Sequence, residues 1–311
     1  AARKPGFDPL DLQELPRGLR GYYAHFWAQM QPATDAPERA WEAWETRHLP
    51  LLEALGVAGE PVTRQWLADH TGLPARTIRR ILAGWRRFLR RERRADGTRT
   101  WRIVHRSFAD FLAEKVDLPA AHGRVARWYV EAWGGWDAGL PGLETARDQH
   151  RGYGLRHLAL HLRGASQWAR LRALLLDFDW LWAKLHGTNL NALLADYDVA
   201  LSKGGFLDED RTLELMQGAL RLSAHVLARD PAQLPSQLLG RLMPVQDKEI
   251  RGSTEEIERF DRIPWLRPLT PNLTPPGGPL LRTLAGHSGS VRAVAVTPDG
   301  RQAISGSADG T

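Results

Sequence analysis

Three groups of residues in this chain have the types and spacing to do chemistry. The first is a lone histidine, His105, in the apolar frame "VHRSFADFL". An imidazole N–H is a good donor to a phosphate oxygen, and its charge responds near neutral pH. The same ring could instead cover a hydrophobic core or touch DNA. The second group is His157 and His161, four apart on a helical pattern, a spacing that lets two imidazoles share a metal. No Glu follows the first of them and no third ligand is evident, so packing or capping is the expected role, and no metal site is expected. The third group is two carboxylate pairs, Asp177 with Asp179 and Asp196 with Asp198. Residues at i, i+2 do not face each other on a helix. These are read as caps and solvated positions, not as an acid–base pair.

The chemistry that the chain lacks narrows its class. There is no Cys, which removes disulfides, thiol nucleophiles and Cys-type zinc sites. This suits a reducing compartment, and a cytoplasmic location is expected. No G-x-x-x-x-G-K-[ST] run occurs, and none of the five Lys follows a Gly, so the phosphate cradle is missing. Neither a nucleophile elbow nor His-Glu-x-x-His is present. The chain should not hydrolyse ATP by itself, and no other catalysis is expected. Its 311 residues suggest two or three domains, with 43% hydrophobic and 25% charged residues, ordinary for a globular protein. No run of about 18 apolar residues offers a membrane span. The start, "AARKPGFDPL", has neither Met nor an apolar signal core, and the end, "SGSADGT", stops inside a strand pair. A segment of a longer protein is expected.

Net charge is +6 but unevenly placed. Between Arg76 and Arg102 stand eleven Arg and two acids, Glu92 and Asp96, a local balance of +9 against −3 for all other residues. Arg76, Thr77, Arg79, Arg80 and Ala83 could face a DNA major groove, with Arg93, Arg94 and Arg99 as a wing on phosphate. That reading makes the chain a winged-helix transcription regulator. A solvated arginine face, or one that meets another protein surface, fits the same residues.

These groups are positioned by a mainly α chain. "LPRGLRGYYAHFWAQM" places Leu19, Tyr22 or Tyr23, Phe26 and Met30 at helical spacing, a helix with no evident partner. After the break "QPATDAP", a helix is expected from Ala40 to Leu55. Thr63 can cap "RQWLADH", and "TGLP" turns tightly. Ile78, Ile81, Leu82, Trp85, Phe88 and Leu89 then share one helical face. Two extended runs flank Asp96-Gly97, a hairpin signal, and "RSFADFLAEKV" returns to helix. Helix, helix-turn-helix, hairpin, helix is the order of a winged helix, placed at 32–118. Residues 119–262 show no convincing strand. Helical pieces are expected near 122–134, 152–163, 167–185, 189–202, 211–229 and 234–242, a stack of helix pairs. The thirteen Trp fall mostly at helical spacing, so core packing is their default. Six Pro within 264–279 predict a stiff, extended connector over 263–280. From 281 the period changes to alternation, with turns at Pro298-Asp299-Gly300 and Asp309-Gly310.

The last stretch resembles the first repeat of a WD-repeat β-propeller: Gly286-His287, a strand, a "PDG" turn, then "SGSADGT". The resemblance implies a structural hydrogen-bond network of His287 and Asp309, with Ser305 or Ser307 as the strand member. The Trp of that network would lie beyond Thr311. The family's mode of action implies protein ligands for the propeller.

The whole order resembles the regulatory middle of a STAND-type signalling ATPase with C-terminal WD repeats, the class of apoptosome scaffolds and NACHT or NB-ARC receptors. "LPRGLRGYYAHFW" resembles the end of the helical lid after their ATPase core, here 1–31. "RHLALHLRGASQWARLRALLLDFDWLWAKL" resembles the helical arm of bacterial members. The resemblance implies that His105, at the end of the hairpin, reaches the β-phosphate of ADP bound by the parent protein and holds it closed. Plant members write Met-His-Asp where this chain has Val104, His105 and Arg106, so the local hydrogen bonding differs. The implied partners are the chain's own upstream ATPase core, protein ligands of the propeller and further copies on activation. Nucleic acid is the lesser candidate, and no membrane is expected.

Overall fold

The computed structural model describes residues 19–104, 106–202, 206–207, 209–281, 287 and 289–310. Contacts divide the chain into two compact units, 1–171 and 172–311.

In the first unit, α1 (Leu19–Met30) buries Tyr23 and Phe26. The helix was expected to lack a partner, and the structure corrects this. Its rings pack on Phe88, Phe108 and Phe111, with centroids 4.4–5.9 Å apart, and Trp27 meets Trp44 edge-on at 5.6 Å. Sequence periodicity showed the apolar face of α1 but not the aromatic surface that folds back to meet it.

The next helical run is α2 (Glu38–Ala43), a π-helical turn (Trp44–His48) and α3 (Leu49–Val57). Pro50 has no N–H to give to the preceding turn and its ring crowds a carbonyl there, which accounts for the wider turn. α4 (Arg64–Thr71) opens on Thr63, whose Oγ1 accepts the Trp66 N–H at 3.1 Å, and closes on Gly72 at φ 69°. α5 (Ala75–Gly84) buries Ile78, Ile81 and Leu82. The expected face through Leu89 is cut short after Gly84. The Phe88 carbonyl takes the Val104 N–H at 3.0 Å, so the chain is already in the hairpin.

β1 (Leu89–Arg93) pairs antiparallel with β2 (Arg99–Ile103) around Asp96-Gly97, and Val62 forms a bridge with Trp101. α6 (Arg106–Ala113) follows. α7 (Leu118–Ala132) is capped by Asp117. α7 and α8 (Tyr153–Gly164) pack on each other, and α7 also packs on α3.

α9 (Trp168–Leu176) and α10 (Phe178–Gly187) replace the single expected helix, because Asp177 caps α10 through the Trp180 N–H at 2.7 Å. α11 (Leu190–Ala200) and α14 (Leu234–Leu242) match predicted pieces, and α12 (Arg211–Leu222) with α13 (Ala224–Leu227) replace the single helix expected over 211–229, broken at Ser223. α15 (Lys248–Glu258) was not predicted. Its apolar signal is thin, with Ile250 and Ile257 buried inside a largely charged sequence.

Asp196, expected to be solvated or capping, is instead buried on α11, 2.8 Å from the fully buried Nζ of Lys184 on α10. Burial pushes the Asp196 carboxyl up to about 6, and the Lys184 charge opposes that rise. Asp198 lies outward, with Arg221 and Gln217.

The Pro-rich segment is also corrected. It is not a free connector but a strap on the second unit. Arg241 is buried and donates to the Thr274 carbonyl (2.9 Å), the Leu222 carbonyl (3.2 Å) and Ser223 Oγ (2.9 Å). Leu273 N–H reaches the Gly240 carbonyl, Ser236 Oγ reaches the Leu266 carbonyl, and Pro276 is buried. The last element is an antiparallel hairpin, β3 (Val291–Val296) with β4 (Ala303–Ser307).

Asp196→Ala should destabilise the chain by about 3–5 kcal/mol, because it strands the buried Lys184 ammonium, and Lys184→Met with Asp196→Leu should recover most of that loss. Urea unfolding followed by circular dichroism measures both. Equal damage by the single and double variants would mean that packing volume, not the unpaired charge, sets the cost.

Candidate functional site

His105 lies outside the described residues. It stands in sequence between the end of β2 and the start of α6. The described groups converge elsewhere, at a joint between the 53–96 block and the α7–α8 pair, inside the first unit.

Two hydrogen-bonded chains cross this joint. In the first, the Trp66 indole N–H donates to the Tyr129 hydroxyl at 3.1 Å. That hydroxyl is 2.8 Å from His150 Nδ1, and His150 Nε2 is 2.8 Å from Asp69 Oδ2. Because the Asp69 carboxylate only accepts, His150 Nε2 carries a proton and donates it there, and in the neutral ring Nδ1 then accepts the Tyr129 O–H. In the second, the Gly59 N–H donates to the Tyr153 hydroxyl at 3.0 Å, which lies 3.0 Å from His161 Nε2. His161 Nδ1 is in turn 3.0 Å from His122 Nδ1. His161 is therefore a wholly buried member of a polar chain, and His157 bonds to Glu60.

Glu60 is the electrostatic hub. It takes Arg156 at 2.8 and 2.9 Å, Arg94 at 3.2 Å and His157 at 3.3 Å. Burial alone would raise its carboxyl, but bonds from His157 and Arg156 outweigh burial and hold it down at about 2. Arg124 pairs with Glu53, and Arg151 pairs with Asp96 at the hairpin tip. His150 (φ 44°) and Arg151 (φ 57°) are left-handed non-glycine residues. That backbone costs roughly 1–3 kcal/mol per residue and persists because both side chains are tied across the joint. The buried rings stay neutral: burial depresses His70 and His122 to about 4, and His161 well below the ordinary value. No nucleophile stands beside a base in this arrangement. What it does is fasten α4 and the hairpin tip to α7 and α8.

Sequence reasoning singled out His157 and His161 but missed Glu60, Tyr129, His150 and Tyr153. The available signal was the density of His and aromatic residues over 149–161.

The arginines proposed for DNA do not all share one surface. Arg76, Arg79 and Arg80 are exposed on α5. Arg79 lines a groove toward the hairpin, whereas Arg80 lines another with Arg47, His48 and Arg87. Arg93 borders a third. Arg94 is committed to Glu60 and the Pro61 carbonyl, because the joint gives it a half-buried carboxylate.

In the final hairpin, His287 Nδ1 is 3.2 Å from Asp309 Oδ2 and His287 Nε2 is 2.8 Å from Ser305 Oγ. Asp309 also accepts the Gly289 N–H at 3.3 Å. Ser305, not Ser307, is the strand member. Ser307 Oγ accepts the Asp309 N–H instead.

Residues 118–238 match the APAF-1 helical domain, and residues 278–311 match the WD domain, G-beta repeat. No curated protein matches the chain. The first matched stretch begins with α7, so it supplies the α7–α8 side of the joint. The second contains His287, Ser305 and Asp309. Their order suggests an Apaf-1/STAND-like architecture, and a WD repeat is a unit of protein–protein interaction. No helix among the described residues is long and apolar enough to cross a membrane.

Two acid-induced losses are expected. The buried histidines have folded values below their unfolded one, so their contribution is lost as pH falls from about 6.5 to about 4. Glu60 is also depressed, so its contribution is full above about 4.5 and lost as pH falls toward about 2. Denaturant midpoints across pH should show the upper loss shrink in His122→Gln and the lower one shrink in Glu60→Gln. Unchanged profiles in both variants would remove the joint as the pH-sensitive element.

Proposed function

We propose that this chain is the regulatory and protein-interaction segment of a STAND signalling ATPase of bacterial type. The observation that carries the reading is the order of the two matched stretches. A helical domain and then a WD repeat follow a block of helices closed by a hairpin. Residues 32–118 are the winged helix in this reading. The helix-turn-helix of α4 and α5, with β1–β2 and α6 behind it, supports that assignment. Residues 1–31 end the lid, 119–262 form the arm, 263–280 the linker, and 281–311 begin the propeller.

In this reading the propeller takes a protein ligand. The arm transmits the event, and the Glu60 hub and the two tyrosine chains make α7 and α8 move with the winged helix. His105 biases the parent between a closed, ADP-bound state and an open state that oligomerises. ADP or ATP belongs to the upstream ATPase core. This segment carries no hydrolysis of its own. A duplex reader built on Arg76, Arg79, Arg80, Arg93 and Arg94 has less support, because Arg94 is consumed in the joint and Arg79 and Arg80 line different grooves.

The test is made in the parent protein. Its reading frame should carry a G-x-x-x-x-G-K-[ST] motif upstream and further WD repeats downstream. There, His105→Ala should speed loss of bound nucleotide and raise basal oligomer on size-exclusion chromatography. A parent with no phosphate-binding loop would end the signalling-ATPase reading. A parent with the loop but unchanged retention and assembly would remove His105 alone.

A further inference from the structure

The hairpin sorts its charges by face. Strand alternation and register place Arg90, Glu92, Thr100 and Arg102 on one side. There, Glu92 is paired with Arg90 at 3.1 Å and with Arg102 at 3.2 Å. The other side carries Leu89, Arg91, Arg93, Arg99 and Trp101. Across a groove of about 670 Å³ this side faces α5, which adds Arg79; Arg86 comes from the turn after α5, and Arg64 of α4 joins them. Among the described residues, no acidic one lines this groove. Glu92 is spent on the opposite face, Asp96 on Arg151 and Glu60 on the joint. Among the described residues, none of Arg64, Arg79, Arg86, Arg91 and Arg99 is in an ion pair, and all five are exposed. A second groove of about 550 Å³ shares Arg64, Arg99 and Trp101 and adds Arg93 and Thr98, so the basic track runs on along the hairpin.

Concentrating guanidinium groups without counter-charge costs self-repulsion, which a bound polyanion would relieve. The track also holds a flat surface: the Arg64 guanidinium lies over the half-buried Trp101 ring, 5.8 Å from its centroid. We propose that this groove binds a single strand of nucleic acid, with its phosphates on the five arginines and a base stacked at Arg64 and Trp101. Guanidinium forks match phosphate oxygens, and an aromatic platform takes an unpaired base of any sequence. The groove is concave, with its arginines on facing walls. A duplex wants the opposite shape, a convex helix entering its major groove. An acidic peptide would use the charge but not the stacking surface. The proposal does not depend on the signalling reading above.

The test uses the whole 311-residue chain. Anisotropy of a fluorescein-labelled oligothymidine, a labelled duplex and a labelled polyglutamate peptide is measured at about 50 and about 200 mM salt. The single strand should bind best. Five phosphate contacts predict that its affinity falls about a hundredfold between the two salt concentrations. Arg86→Gln with Arg99→Gln should weaken it about tenfold, and Arg127→Gln with Arg229→Gln, exposed and outside the groove, less than twofold. Trp101→Leu should lose several-fold where Trp101→Phe does not. If Trp101→Leu melts early, the arginine pair decides. Equal loss in groove and control pairs, duplex or polyglutamate binding as tight as the single strand, or no binding at the lower salt would each overturn the proposal.

Discussion

Everything in the first unit depends on one constraint. A polar group that leaves water must find a partner inside, or it costs roughly 1–3 kcal/mol. The joint between α4 and the α7–α8 pair buries Trp66, Tyr129 and Tyr153, with His161 wholly enclosed. Trp66, Tyr129 and Tyr153 each carry a donor or acceptor that the opposite side satisfies, and His161 is satisfied by Tyr153 and His122 within the α7–α8 pair. The hydrophobic area of these rings supplies adhesion, and the hydrogen bonds fix the register. Neither side can shift by an ångström without breaking several bonds together. That explains why the hairpin-bearing block forms one compact unit with α7 and α8, although the order of elements read from the sequence places a boundary between them, at 118.

The second unit solves the same problem with charges. Lys184 and Asp196 are both buried and neutralise each other. Arg241 is buried without a carboxylate within bonding distance among the described residues and spends its N–H groups on neutral acceptors, the Thr274 carbonyl of the strap and the Leu222 carbonyl and Ser223 Oγ at the end of α12. A guanidinium in a dry site demands that its acceptors stay in place. The Pro-rich strap is therefore held by α14, and proline stiffness lowers the entropy lost on docking it.

Local rules read much of this from sequence. Thr63 and Gly72 bound α4 because capping and left-handed turns need only neighbouring residues. The Asp96-Gly97 turn sets the hairpin for the same reason, and the Gly-His and Asp-Gly signals brought His287, Ser305 and Asp309 into one reading. What sequence hid is what depends on distance along the chain. Glu60 and Arg156 are 96 residues apart, and Asp69 and His150 are 81 apart. Nothing in a 3.6-residue period tells a solvated Asp198 from a buried Asp196. The partner of α1 was invisible because its rings meet residues of a later hairpin and helix. Isolated histidines invite metal and catalytic readings, yet His150, His161 and His287 each bond through both ring nitrogens and act as two-ended connectors.

The two ends of the hairpin now carry opposite roles for one physical reason. Acidic groups are scarce in this part of the chain, and the fold spends them at fixed places. Glu60 takes Arg94 and Asp96 takes Arg151, both at the joint, while Glu92 quiets the outer face. Arginines that receive a carboxylate become structural, because a paired and half-buried guanidinium cannot be offered to a ligand without breaking the joint. Those left on the inner face keep their charge in water and remain available. The sorting needs no extra residue. Strand alternation decides which arginine meets an acid, and the turn at Asp96-Gly97 decides which strand positions face each other. A one-residue slip of the register would exchange the two faces, putting Glu92 into the basic groove and the unpaired arginines on the outer side. The Val62–Trp101 bridge, with N···O distances of 2.9 and 2.8 Å, pins the register against that slip.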